Sequence, residues 1–153
     1  MACPFFMPIE KLEDGAWPHP ARLPLGCGWR GQCAAPGHEG EVPSQEELHE
    51  FCNLGYAQGC SRLPRERAWD AVRFAVAAPG AGSGKGTPAS RIQVRYVCER
   101  EHRPVEHGTL EFDASELQCS PGHADRRVQR MAEYFLAEYL NRRKTRDAAR
   151  MAR

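Results

Sequence analysis

Close cysteine pairs are missing from this chain. It has seven cysteines, yet no two are separated by only two to four residues, which is the spacing structural zinc knuckles use. Long apolar runs are missing too. No stretch is long enough to span a bilayer, and Phe5-Phe6-Met7-Pro8 is too short for the apolar core of a secretory signal. The expectation is a cytoplasmic protein with reduced thiols and no membrane partner. Seven is also an odd number, which argues against a disulfide framework and for metal binding or buried thiols. Lysine is confined to Lys11, Lys85 and Lys144, and the formal net charge is +1, so no global charge draws the chain to nucleic acid or anionic lipid. Arg, Ala, Gly and Pro abound in a pattern that looks like the codon bias of a GC-rich genome, so single arginines carry little weight as signals.

Recognisable catalytic groupings are lacking as well. No Ser/His/Asp order stands out, and an enzymatic role is left open with a leaning against it. Gly80-Ala81-Gly82-Ser83-Gly84-Lys85-Gly86-Thr87 resembles a phosphate-binding loop, but Pro79 occupies the first Gly position and Gly86 the magnesium-binding Ser/Thr position. We read it as a connection between strands.

What the chain does have is a cysteine-rich stretch. Cys3, Cys27, Cys33, Cys52 and Cys60 fall within a segment punctuated by proline and glycine, where large apolar residues are few. Such a segment predicts a loop-dominated module, residues 1–64, that needs something to tie it down. Ile9-Glu10-Lys11-Leu12 reads as one helical turn. Ser44 and Glu47 form a capping box opening a short helix, with Leu48, Phe51 and Cys52 on one face and Gly55 placed to end it. Five residues separate Cys27 from Cys33, eighteen separate Cys33 from Cys52, and seven separate Cys52 from Cys60. Well-separated thiolates drawn from loops suit a 4Fe-4S iron–sulfur cluster better than a single ion, with Zn2+ as the alternative. Five cysteines compete for four places. Cys33, Cys52 and Cys60 come first. Cys3, which is followed by a proline, and Cys27, in a glycine-flanked loop, contend for the fourth. Trp29, Arg30 and His49 are candidates to shield or tune the site.

Residues 65–153 read as ordinary α+β protein, forming one compact unit with the first module. Val72, Phe74 and Val76, then Ile92, Val94, Tyr96 and Cys98, then Leu110 and Phe112 each alternate with more polar neighbours. That predicts a three-stranded antiparallel sheet. Val128, Met131, Ala132, Phe135, Leu136, Tyr139 and Leu140 recur at helical spacing, so a long C-terminal helix should cover the sheet. Ser120-Pro121 reads as its cap and first residue. A second Cys/His group, Cys98, His102, His107, Cys119 and His123, offers a subsidiary metal site. The helix ends in Arg142, Arg143, Lys144, Arg146, Arg150 and Arg153, a basic run that is either a solvated helix end or a contact for nucleic acid.

The expected function is that of an iron–sulfur protein engaged in electron transfer or redox sensing, with a protein redox partner or larger enzyme. The alternative is a zinc-stabilised interaction module that touches nucleic acid through the Arg-rich helix.

Overall fold

In the computed structural model, the described residues are 2–13, 17, 22–55, 59–77 and 91–151. The glycine-rich Gly80–Thr87 stretch and Arg153 lie outside them. The chain is α+β. Strands β1 (Phe6–Lys11) and β2 (Trp29–Cys33) pair antiparallel. A single helical turn, α1 (Gln45–Glu47), continues into a wider π-type turn over Leu48–Cys52. Then come β3 (Ala71–Val76), β4 (Arg91–Arg100), β5 (Arg103–Asp113), β6 (Gln118–Cys119) and the long helix α2 (Arg126–Met151).

The large sheet has four strands, in the order β3-β4-β5-β6 and antiparallel throughout. The sequence leads one to expect three. The fourth is a two-residue strand, too short to show alternation. Asp113 reverses the chain toward it by accepting the Ser115 N–H at 2.9 Å, the local turn that aspartate favours. The three expected strands have the expected inward faces: Val72, Phe74, Val94, Cys98, Leu110 and Phe112 are buried. Helix α2 lays Val128, Met131, Ala132 and Leu136 over them, and Phe135 stacks on Phe74 at 5.8 Å.

The helix starts later than Ser120-Pro121 suggests. The Ser120 N–H is already used by the sheet, donating to the Glu111 carbonyl at 2.8 Å. Asp125 is the capping residue instead: its carboxylate accepts the Arg127 N–H at 2.9 Å and its carbonyl the Gln129 N–H at 3.1 Å.

The N-terminal part is less loop-dominated than its composition implies. Ile9-Glu10-Lys11 belongs to β1 and not to a helical turn. The register slips between Pro8 and Glu10, leaving a bulge at Ile9. Proline has no N–H to give the ladder, and the bulge accommodates that. Gly31 is required opposite it, because a Cβ there would lie 2.1 Å from the Met7 carbonyl oxygen. The two parts share one core. Ala2 and Val72 exchange backbone hydrogen bonds of 2.6 and 2.9 Å, Trp29 stacks on Tyr134 of α2 at 4.1 Å, and Lys11 pairs with Glu138 at 2.9 Å.

Candidate metal centre

Four cysteines meet at one cavity. Cys3, Cys33, Cys52 and Cys60 line it, together with Phe5, Phe6, Ala35, Pro43, Glu47, Phe51, Arg62 and Leu63. The empty space amounts to about 350 Å³ when its solvent-open part is included. Cys27 is not among the lining residues. It is buried in the loop before β2, on the flank where the Gly26 carbonyl accepts the Arg142 guanidinium at 3.0 Å.

Each of the four is positioned by a different device. Cys3 follows the Ala2–Val72 bridge directly, and its carbonyl accepts the Phe6 N–H at 3.1 Å in a tight turn through Pro4. Cys3 is thereby tied to β3 through its neighbour. Cys33 ends β2, opposite Phe6. Its backbone exchanges hydrogen bonds with the following loop, through the Glu41 carbonyl at 2.8 Å and the Gly40 N–H at 2.9 Å. Cys52 closes the π-type turn that follows the Ser44 capping box. In that box the Glu47 N–H donates to Ser44 Oγ at 3.2 Å, and the Ser44 N–H donates to Glu47 Oε2 at 2.7 Å. Gly55, at φ +68°, ends the turn as expected. Cys60 opens a short turn in which its carbonyl accepts the Leu63 N–H at 3.2 Å.

The electrostatics of the thiols follow from their burial. Burial pushes Cys3 up to about 11, with Cys60 and Cys33 adding to the rise while backbone N–H groups of Phe5 and Phe6 oppose it. Cys52 is pushed up further, again chiefly by burial and then by the neighbouring Cys3, Cys60 and Cys33. These influences restate the geometry: Cys3 and Cys52 both lie in the field of Cys33 and Cys60. The Ala35 N–H donates to Cys33 Sγ at 3.4 Å. Among the described residues, no group of three or more His, Cys, Asp or Glu side chains is arranged to hold a metal ion. The four thiols share the lining of one cavity.

One charged group at this cavity, Arg62, escapes sequence inspection. Arg62 donates from Nη2 to Glu47 Oε2 at 3.1 Å, and its Nη1 lies 3.5 Å from Glu41 Oε2. Nη1 is buried with no hydrogen-bond partner. The only signal in the sequence is that Arg62 lies two residues after Cys60, and in so arginine-rich a chain that signal is faint. The residues expected to tune the site are not among those lining the cavity. Trp29 is on Tyr134, Arg30 is exposed and pairs with Glu10 at 3.3 Å, and His49 stacks on Trp17 at 4.3 Å.

The second Cys/His group is spread over the large sheet. Cys98 and Cys119 are buried in the sheet–helix core, each pushed up to about 12, first by burial. Cys98 is further raised by Glu106 and Asp125, and Cys119 by Glu133. His102 sits in the β4–β5 turn at φ +62°, and His107 is exposed on β5 opposite Val97. His123 packs edge-on to Tyr96 at 4.8 Å, with Nε2 3.6 Å from Glu106. In the basic run, Arg142 holds the Gly26 loop and Arg143 lies 3.9 Å from Asp147. No helix among the described residues is long and apolar enough to cross a membrane.

Comparison with family models, curated proteins and solved structures returned no match. The residues of the cavity are therefore what a functional reading has to rest on.

Proposed function

We propose that this protein binds one 4Fe-4S cluster through Cys3, Cys33, Cys52 and Cys60 and serves in electron transfer or redox sensing with a protein partner. The observation that carries this reading is the convergence of four thiols, from four separate segments of chain, on a single cavity. The donor set is all sulfur, which suits iron–sulfur clusters and other soft-metal sites. The four cysteines lie far apart in the chain, which suits a multi-atom cluster better than the closely spaced pairs of structural zinc sites. A backbone N–H already donates to one of the sulfurs, from Ala35 to Cys33, and those of Phe5 and Phe6 favour the thiolate of Cys3. Such donors stabilise thiolate and tune a cluster's potential. When bound, the cluster would supply reversible one-electron storage. Four protein ligands leave its irons without an open position, which favours electron transfer or sensing over Lewis-acid catalysis.

The chain's own contribution is to exclude water with Phe5, Phe6, Phe51 and Leu63 and, through burial, to hold Cys3 and Cys52 as thiols. Loading therefore releases protons, as metal binding to thiols does. Purification without oxygen tests the proposal. The expected product is brown, with broad visible absorption and roughly four iron and four sulfide per chain. A colourless chain carrying stoichiometric zinc overturns it.

A further inference from the structure

The group of interest is the Arg62 guanidinium. It lines the four-cysteine cavity, and its Nη1 is buried without a hydrogen-bond partner. Nη1 keeps only an ion-pair contact of 3.5 Å with Glu41 Oε2, and a buried donor without a hydrogen bond carries a desolvation penalty that native structures rarely tolerate without reason. The rest of the side chain is held firmly: Nη2 is bound to Glu47 Oε2 at 3.1 Å, and Glu47 is itself fixed by the capping box with Ser44. The guanidinium is therefore a held positive charge at a cavity whose lining is otherwise apolar apart from the cysteines and Glu47, with its countercharges on Glu47 and Glu41.

We infer that Arg62 sets the reduction potential of this centre by donating from Nη1 to a sulfur of the bound group. The inference rests on the cluster reading above. A 4Fe-4S cluster with four thiolates is a dianion when oxidised and a trianion after taking up one electron. Apolar walls disfavour the extra charge, since charge transfer into a low-dielectric site is costly. A fixed guanidinium favours it, and a hydrogen bond to sulfur acts in the same direction by drawing off electron density. Arg62 is thus a positioning and potential-setting residue and not a ligand.

A potentiometric titration of the full chain, with dithionite as electron donor through mediators and the reduced cluster read by electron paramagnetic resonance, tests this. Arg62→Gln keeps a donor but loses the charge. It should lower the reduced-to-oxidised ratio at a given ambient potential about tenfold, a shift of about 59 mV downward for a one-electron couple. Arg62→Lys restores the charge and should recover most of the shift, which a merely structural role for the side chain does not predict. Glu41→Gln removes an exposed countercharge from the same guanidinium and should move the midpoint upward by less. If Arg62→Gln fails to fold, Glu41→Gln decides: a rise supports the inference and an unmoved midpoint overturns it. A folded Arg62→Gln variant with full iron and sulfide and an unchanged midpoint also overturns it, leaving the cluster reading standing. Wild-type protein without iron and sulfide sinks the cluster reading itself.

Discussion

Asn53 holds Trp29 from both sides of its side-chain amide: Oδ1 accepts the Trp29 N–H at 2.8 Å, and Nδ2 donates to the Trp29 carbonyl at 3.0 Å. The same Nδ2 donates to the Leu48 carbonyl at 3.0 Å. One buried amide therefore fastens β2, which ends at Cys33, to the turn that carries Cys52. Asn53→Ala leaves buried polar groups of Trp29 without partners, and each such group costs about 1–3 kcal/mol. The expected loss is about 3 kcal/mol, read as a lower urea midpoint with an unchanged slope. Iron retention should fall with it. Asn53→Asp should fare no better, because a carboxylate facing two carbonyls has no proton to give.

Cys3 and Cys27 differ in place, so their replacement should differ in effect. Cys27→Ala should reduce stability by about 1 kcal/mol through the small cavity it leaves and keep full iron, sulfide and colour. Cys3→Ser, Cys33→Ser, Cys52→Ser and Cys60→Ser should each give pale protein with little iron. Metal analysis of the five variants side by side checks the assignment. Loss of iron in Cys27→Ala with retention in Cys3→Ser would reverse it.

Asp70 anchors the β4–β5 turn. Its carboxylate accepts the Glu101 N–H at 2.6 Å and the Arg67 guanidinium, while its own N–H donates to the Glu99 carbonyl at 2.7 Å. Burial raises its pKa, but the Glu101 N–H and Arg67 together outweigh that and hold it below 3.8. A depressed folded-state value means the stabilisation is present above the unfolded-state value, ~3.9, and lost as pH falls through the folded one. Asp70→Asn should lower stability at pH 7 and flatten the acid limb below about pH 4. Thermal midpoints from pH 7 down to pH 2.5 check both.

Cys98 and Cys119 give the opposite sign. Burial raises both from 9.0 to about 12. A raised folded-state value means the stabilisation is complete below pH 9 and disappears as pH climbs toward 12. Each thiol contributes a slope of about 1.4 kcal/mol per pH unit within that window. Cys98→Ala and Cys119→Ala should start from lower stability at pH 7 yet decline less steeply above pH 9. Their metal content should match wild type. A fall in bound metal in either variant would instead favour a subsidiary site in that group.

Much of this molecule is legible from periodicity. Val72/Phe74, Val94/Cys98 and Leu110/Phe112 keep a period of two, and Val128 to Leu136 keeps the helical one, because each segment has one wet face and one dry face. The Ser44–Glu47 capping box is legible because it is local. What escapes is whatever depends on a distant partner. Strand β1 is hidden by Pro8 and the bulge at Ile9, and β6 by its length. Ser120-Pro121 looks like a helix start only until the Ser120 N–H is seen to belong to Glu111. The choice between Cys3 and Cys27 turns on the Ala2–Val72 bridge, seventy residues apart in the chain, which no local pattern encodes. Arg62 is found only through Glu47 and the cavity.

That bridge also sets an order of events during synthesis. Cys3 is made before Cys33, Cys52 and Cys60, yet its fixed place depends on pairing with β3, so it can settle only after Val72 has left the ribosome. The earliest of the four thiols is the last to be secured. A nascent chain with Cys60 but not Val72 clear of the ribosome would display all four sulfurs without the frame that gathers them, and any loading would wait until the second part of the protein had begun to fold.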